Sequence, residues 1–183
     1  MATRNKRAAK SNRREPQAIS MLVEDHRKVQ KLFKQFEKAD ERQQQKIVEE
    51  ACNDLTVHAQ LEEQVFYPAV RDAIDETDLV DEATVEHDVA KDLIEKLKNL
   101  GPGEPQYAAT FCVLGEYINH HIEEEQNELF PKVRKASLDF ESLAGEMWEK
   151  KQELREELGL EPERERPAAA EGRRGHAARS AGR

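Results

Sequence analysis

The stretch that decides the fold is residues 58–68, HAQLEEQVFYP, which has a second copy at residues 121–131, HIEEEQNELFP. In each copy a glutamate follows a histidine four positions later, and an aromatic residue precedes the closing proline. The two pairs are His58 with Glu62 and His121 with Glu125. Residues four positions apart lie on one face of a helix. Each copy therefore predicts an imidazole and a carboxylate that point the same way, as a metal site between helices requires.

The composition favours a helical protein without a membrane span. Charged residues make up 37% of the 183 residues, aromatic residues only 5%, and Gly and Pro are scarce, which is more typical of helical domains than of β-sandwiches. No apolar run approaches the ~20 residues that a membrane-spanning helix needs. The basic N-terminus lacks the apolar segment of a secretory signal. The two cysteines, Cys52 and Cys112, indicate reduced and mostly buried thiols, so we expect a cytoplasmic protein.

Charge is distributed unevenly along the chain. Residues 1–16 have a net charge of +5 and residues 161–183 one of +2, which leaves −16 for residues 17–160. A body this acidic favours cation binding and repels the phosphates of nucleic acids. Both ends lack hydrophobic periodicity, so we predict a disordered basic tail over 1–16 and a disordered Arg/Ala/Glu-rich tail over 161–183. Any contact with nucleic acid is expected to be weak and to involve these tails.

Apolar residues recur at helical spacing in four long segments and one shorter segment. The segments run over about 20–39, from 41 to beyond 68, and over about 78–100, 105–131 and 138–158. Ser20 is the expected N-cap of the first helix, and Pro68 and Pro131 are expected to kink or end theirs. Short connections between long helices predict an all-α, up-down-up-down four-helix bundle with an additional short C-terminal helix, spanning residues 17–160.

One histidine of each long helix lies on or beside the inward apolar stripe of that helix, and two of the helices add a glutamate. The residues are His26, His58, Glu62, His87, His121 and Glu125. Such groups are costly to bury unless they are paired or bind a metal, so the six predict a metal site. Imidazole with carboxylate suits iron, with zinc and manganese as less favoured occupants. No glutamate lies three positions before any of these histidines, so the Glu-x-x-His pattern of ferritin-like sites is absent.

A competing pair, His120 with Glu124, has the same spacing one residue earlier in the chain. On a helix it is rotated by about 100° from His121 and Glu125. The inward stripe and the distance to Pro131 favour His121, and His120 remains an alternative ligand. His176 lies in the predicted C-terminal tail and is not assigned to the site.

These motifs resemble the hemerythrin-like, or HHE cation-binding, family of bacterial type. The resemblance covers roughly residues 19–136 and rests on the histidine of the first helix, the two His-x-x-x-Glu blocks and the Glu-His pair at residues 86–87. It implies a non-haem di-iron centre with an oxo or hydroxo bridge. The four histidines would be terminal ligands of the irons, and Glu62 and Glu125 would bridge them.

The chain departs from the oxygen-carrying members of that family in two places. Lys91 stands where they have a further histidine, and the last helix has His-x-x-x-Glu in place of His-x-x-x-x-Asp. Two positions on the irons then stay open unless Tyr117, Glu86 or Glu124 fills one. The resemblance thus implies a protein that senses or scavenges O₂, peroxide or nitric oxide rather than an oxygen carrier, and leaves catalase- or peroxidase-like turnover open. The alternatives are a module for iron storage or a structural metal, and a helical scaffold; the oligomeric state is not determined.

Overall fold

The structure is a computed structural model and describes residues 15–164. Its five helices begin in order with Gln17–Phe36 (α1), Glu41–Leu61 (α2), Asp78–Asn99 (α3), Pro105–Glu124 (α4) and Phe140–Glu157 (α5). α1 packs on α2, α3 packs on α4, and α5 lies against α1 and α2. The predicted all-α bundle with a short C-terminal helix is confirmed. The predicted tails lie outside the described residues, apart from 15–16 and 161–164.

Both helices that carry a His-x-x-x-Glu motif continue through their proline by way of a π-helical turn. In α2 the turn Glu62–Phe66 leads into Tyr67–Arg71, and in α4 the turn Glu125–Leu129 leads into Phe130–Val133. In each helix the N–H just before the proline bonds to the carbonyl of the motif glutamate five residues back. The helices do not end at the prolines, because this wider turn accommodates a ring that lacks a donor and would clash in a regular α-helix.

The start of α1 differs from the expectation that Ser20 is its N-cap. The helix begins at Gln17, directly after Pro16, and the N–H of Ser20 bonds to the carbonyl of Pro16 at 2.9 Å. The fixed φ of proline suits the first positions of a helix, and the extra turn buries Ile19 completely. The predicted N-cap is therefore wrong, and Ser20 lies inside the first turn.

Two apolar clusters form the core. One contains Phe66, Phe130 and Met147, and the other contains Phe36 and Phe111. Along each of α1 to α4, the residues of one cluster give way to those of the other close to the histidine that the sequence analysis singled out. The fold therefore places these four histidines at one level of the bundle, between the two clusters.

Two further findings concern the cysteines and the membrane. Cys52 is buried, and burial raises the pKa of its thiol to about 12. Cys112 is exposed on α4, so the expectation of buried thiols holds only for Cys52. The stripe that faces the core on α4 passes through Phe111 and Leu114, and Cys112 lies off that stripe. None of the described helices combines the length and the apolar character needed to cross a membrane.

Candidate metal centre

The six predicted ligands converge at the level between the two apolar clusters. They are His26 of α1, His58 and Glu62 at the end of α2, His87 of α3, and His121 and Glu125 at the end of α4. None of the six is more than 6% exposed. A group of buried imidazoles and carboxylates is costly unless every member is hydrogen-bonded or binds a metal. The burial therefore gives the cluster a strong tendency to bind cations.

The inward Nε2 atoms of the four histidines meet in two pairs. Those of His26 and His58 are 3.1 Å apart, which defines position A. Those of His87 and His121 are 3.2 Å apart, which defines position B. Two nitrogens that bind one ion at about 2.1 Å, at a right angle, would lie about 3.0 Å apart. Each pair thus has the spacing of two neighbouring ligands of one metal ion.

Each glutamate reaches both positions. The Oε2 of Glu62 lies 3.2 Å from the Nε2 of His58 and 3.4 Å from that of His87. The Oε2 of Glu125 lies 3.3 Å from the Nε2 of the α1 histidine and 3.7 Å from that of the α4 histidine. Oε1 of Glu62 and Oε2 of Glu125 are buried without a hydrogen-bond partner. Two carboxylates between two histidine pairs form a donor set that fits two cations bridged by both carboxylates.

The outward nitrogen of each histidine, Nδ1, has a polar partner of its own. The partners are Gln126 at 3.0 Å for His26, Asp25 at 3.4 Å for His58, Glu63 at 3.0 Å for His87 and Glu86 at 2.7 Å for His121. Partners of this kind fix the ring orientation and the tautomer that leaves Nε2 free to bind a metal. All four rings are therefore held with Nε2 directed at the centre.

Tyr67 also belongs to the site, although it is absent from the set that the sequence predicts. Its hydroxyl lies 3.1 Å from Oε1 of Glu125 and 3.4 Å from Oε2 of Glu62. Burial and these two carboxylates raise the pKa of Tyr67 well above its ordinary value, so it remains a hydrogen-bond donor. The only hint in the sequence is that the first copy of the motif has Tyr before its proline and the second has Phe130.

The residues proposed to complete the coordination lie outside the centre. Tyr117 is half-buried on α4 and makes no hydrogen bond to the six within the described part of the chain. Glu86 contacts the outward nitrogen of His121 rather than the inward one. His120 is 63% exposed and pairs with Glu124 at 3.4 Å. The competing pair thus faces away from the centre, as its rotation on the helix predicts.

In the metal-free protein the buried carboxylates favour protonated imidazoles. Burial alone would lower the pKa of His87, but hydrogen bonds to Glu62 and Glu63 outweigh it and raise this pKa to about 9. Burial likewise opposes protonation of His58, yet Glu62 and Asp25 hold its pKa well above the ordinary value. A metal must displace these protons, because only neutral imidazole binds it.

We expect the stability of the metal-free protein to fall as the pH rises from about 6.5 to about 9. The pKa of His87 is higher in the folded state, so its contribution is complete below the unfolded pKa of about 6.5 and is lost as the pH rises through about 9. The loss is roughly 3 kcal/mol at most. Urea unfolding across this range measures it, and a profile equally steep in His87→Gln would contradict the assignment.

An apolar cavity of about 80 Å³ gives access to the four histidines, all of which line it. Its walls are mainly aliphatic and include Val29, Leu55, Ala90, Ile94, Ile118 and Ile122. Charged residues of α1, α2 and α5 complete the lining. The two carboxylates and Tyr67 are not part of it. A small molecule in this cavity would therefore approach the centre from the histidine side.

Comparison with known proteins agrees with this geometry. Residues 17–133 match the family model of the hemerythrin HHE cation-binding domain, which is well over half of the chain. The chain belongs to this family. A hemerythrin-like fold with buried His/Glu clusters is a metal-binding one, and the implied di-iron centre fits the donor set described above. The helix α5 lies beyond the matched residues.

A DNA nickase of Nostoc sp. (strain PCC 7120 / SAG 25.82 / UTEX 2576) is 31% identical to the chain over 138 residues. The alignment covers 74% of this chain and 39% of the nickase. The chain thus spans about two-fifths of the length of that relative. No solved structure gives a match.

Proposed function

We propose that this hemerythrin-like protein binds two iron ions and senses or scavenges a small oxidant or nitric oxide. The observation that carries the proposal is that Glu62 and Glu125 each lie between positions A and B. The histidine pairs would be terminal ligands, and the two carboxylates would bridge. Imidazole with carboxylate in a buried site suits iron, and six protein donors exceed what one tetrahedral zinc ion uses.

The side chains around the ligands have separate tasks. The partners of the Nδ1 atoms hold the rings and keep the outward proton in place. Tyr67 donates to Glu125 and lies beside Glu62, which places a proton donor next to both proposed bridges. When bound, the iron pair supplies redox chemistry and open coordination positions for a small ligand. The aliphatic cavity on the histidine side favours small uncharged molecules such as O₂, nitric oxide or hydrogen peroxide.

Iron content and optical response of the purified protein test the proposal. We expect about two irons per chain and a visible absorption band that changes when O₂, peroxide or nitric oxide is added. Iron that binds without any spectral response would favour the alternative, a storage or structural-metal module. A chain that folds fully and binds no metal would favour a helical scaffold, and zinc as the tightly bound metal would contradict the di-iron centre.

The activity in the name of the similar Nostoc protein is not extended to this chain. Residues 17–160 have a net charge of −16, and an acidic surface repels the phosphates of DNA. The site offers paired imidazoles and carboxylates deep in the bundle, where a DNA backbone has no access. A gel assay for nicking of supercoiled DNA by the iron-loaded protein is expected to show no conversion.

Filling the cavity is expected to slow the arrival of a diatomic ligand without removing the metal. Ala90 is buried on α3 and lines the cavity, so Ala90→Leu adds three carbon atoms to a space of about 80 Å³. We expect the rate of nitric oxide binding to fall several-fold in stopped-flow measurements at unchanged iron content. Ala108→Leu, at an exposed position of α4, is the matched control. Equal rates in both variants would exclude this cavity as the route.

Tyr67→Phe separates the proton-donor role of the tyrosine from a role as ligand. The hydroxyl is expected to donate to the carboxylates rather than to bind iron, so the variant should keep its iron and its visible band. Removing a positioned proton donor slows reactions that need it by about 100-fold or more. We therefore expect slower peroxide consumption at unchanged iron content. Loss of a visible band would identify Tyr67 as a ligand instead.

A further inference from the structure

The outward partners of the histidines differ between the two metal positions. At position B both partners are carboxylates, those of Glu63 and Glu86. At position A one partner is the uncharged amide of Gln126, and the other is the carboxylate of Asp25. A carboxylate behind a ligating histidine makes the imidazole a stronger base and a stronger ligand. The residues behind the ligands are therefore unequal, although the ligands themselves repeat.

Asp25 is shared with a lysine of α5. The Nζ of Lys151 lies 2.7 Å from Oδ1 of Asp25, while Oδ2 of Asp25 is 3.4 Å from the Nδ1 of His58. At position B, by comparison, Glu86 is 2.7 Å from the Nδ1 of His121. Charge-assisted hydrogen bonds are short when they are strong. Lys151 thus holds Asp25 more closely than His58 does.

Burial makes the charge of Lys151 effective. Lys151 is 3% exposed and is held by Asp25 and by Glu163 at 2.9 Å. Position B also has a lysine nearby, since Lys91 contacts Glu63 at 2.8 Å, but the side chain of Lys91 is 44% exposed. Water and salt screen an exposed charge far more than a buried one. The surroundings of position B therefore keep more negative charge than those of position A.

We propose that Lys151 is a positioning residue that makes the two metal positions unequal. It draws Asp25 away from His58 and neutralises it, so that position A binds its ion more weakly than position B. The inference rests on the proposed two-metal site. Since Lys151 lies beyond the residues that match the family model, it also gives the additional helix α5 a part in the metal centre.

Stepwise loading with Fe²⁺ in the absence of O₂, against a coloured chelator, tests the inequality. Removing an outer partner of a metal ligand typically costs about 10- to 100-fold in affinity, so we expect two steps at least about tenfold apart. Mössbauer spectra should show one ferrous doublet at one equivalent and a second doublet with the second equivalent. Two equal steps with a single doublet throughout would overturn this proposal and leave the two-iron site intact. A chain that binds no iron would overturn the proposed function instead.

Substitutions at Lys151 test the cause. Lys151→Met releases Asp25 toward His58, so we expect the weaker step to tighten several-fold while the stronger step stays the same. Lys151→Arg keeps the charge and should keep the wild-type gap between the steps. A lysine with a merely structural role predicts the opposite for Lys151→Met, a looser or unchanged weak step. Either of those results would overturn the proposal.

A second pair of variants does not depend on the packing of α5. Gln126→Glu places a carboxylate behind His26 and is expected to tighten the weaker step. Glu86→Gln removes one behind His121 and is expected to loosen the stronger step by about tenfold. Both changes narrow the gap between the two steps. A gap that stays the same in both variants would overturn the proposal even if Lys151→Met fails to fold.

Discussion

Glu125→Ala is expected to reduce the bound iron from about two ions per chain to fewer than one. The carboxylate of Glu125 lies within 3.7 Å of an Nε2 atom at each of the two positions, so its loss weakens both together. Even outer partners of metal ligands are worth about 10- to 100-fold in affinity, and a direct bridge should be worth at least as much. Iron analysis after desalting measures the effect.

The chain contains its own matched control for this experiment. Glu124→Ala removes the same side chain from the neighbouring residue, where Glu124 pairs with the exposed His120. We expect the iron content of this variant to equal that of the unchanged protein. The same comparison applies to His121→Ala against His120→Ala. If the inner and outer variants lost iron equally, or if neither lost any, the assignment of the inner pair as ligands would be refuted.

Removal of the iron is expected to lower the melting temperature by about 10 °C. Ligand that binds only the folded state adds about 2.7 kcal/mol for each site at 100 times its dissociation constant. One kcal/mol corresponds to about 2–4 °C for a domain of this size. Without metal, six buried donors remain within about 4 Å of one another, and two of their oxygens have no hydrogen bond. The apo state should therefore be the less stable one.

Differential scanning calorimetry of the protein before and after chelation measures this difference. Glu62→Ala is the control, because a protein without one bridge should show little change when the chelator is added. If the melting temperature of the unchanged protein were the same with and without iron, the six donors would not be the site of binding. A chelator effect of equal size in Glu62→Ala would lead to the same conclusion.

Much of the fold and the donor set could be predicted from local sequence pattern. His58 with Glu62, and His121 with Glu125, lie one helical turn apart, so their common direction follows from helix geometry alone. The outward orientation of His120 follows from the same rule. Each prediction concerns neighbours within a turn or two, where the sequence and the backbone geometry are directly related.

Other features depend on contacts between distant parts of the chain. Lys151 reaches Asp25 across 126 positions, and no periodicity in the sequence marks either residue as part of the site. The place of Tyr67 depends on a π-helical turn, which local propensity does not predict and which packing around the proline decides. Ser20 looks like an N-cap, but burial of the preceding turn outweighs that preference.

The sequence by itself determined which donors this protein offers and which way each pair faces, because the helical repeat acts over four residues. Only the tertiary structure decided how those donors combine. His26 meets His58 and His87 meets His121 because α1 packs on α2 and α3 packs on α4. Each π-helical glutamate then spans the two pairs. The two copies of the motif thus meet as one centre, and α5 adds a lysine that makes the surroundings of its two halves different.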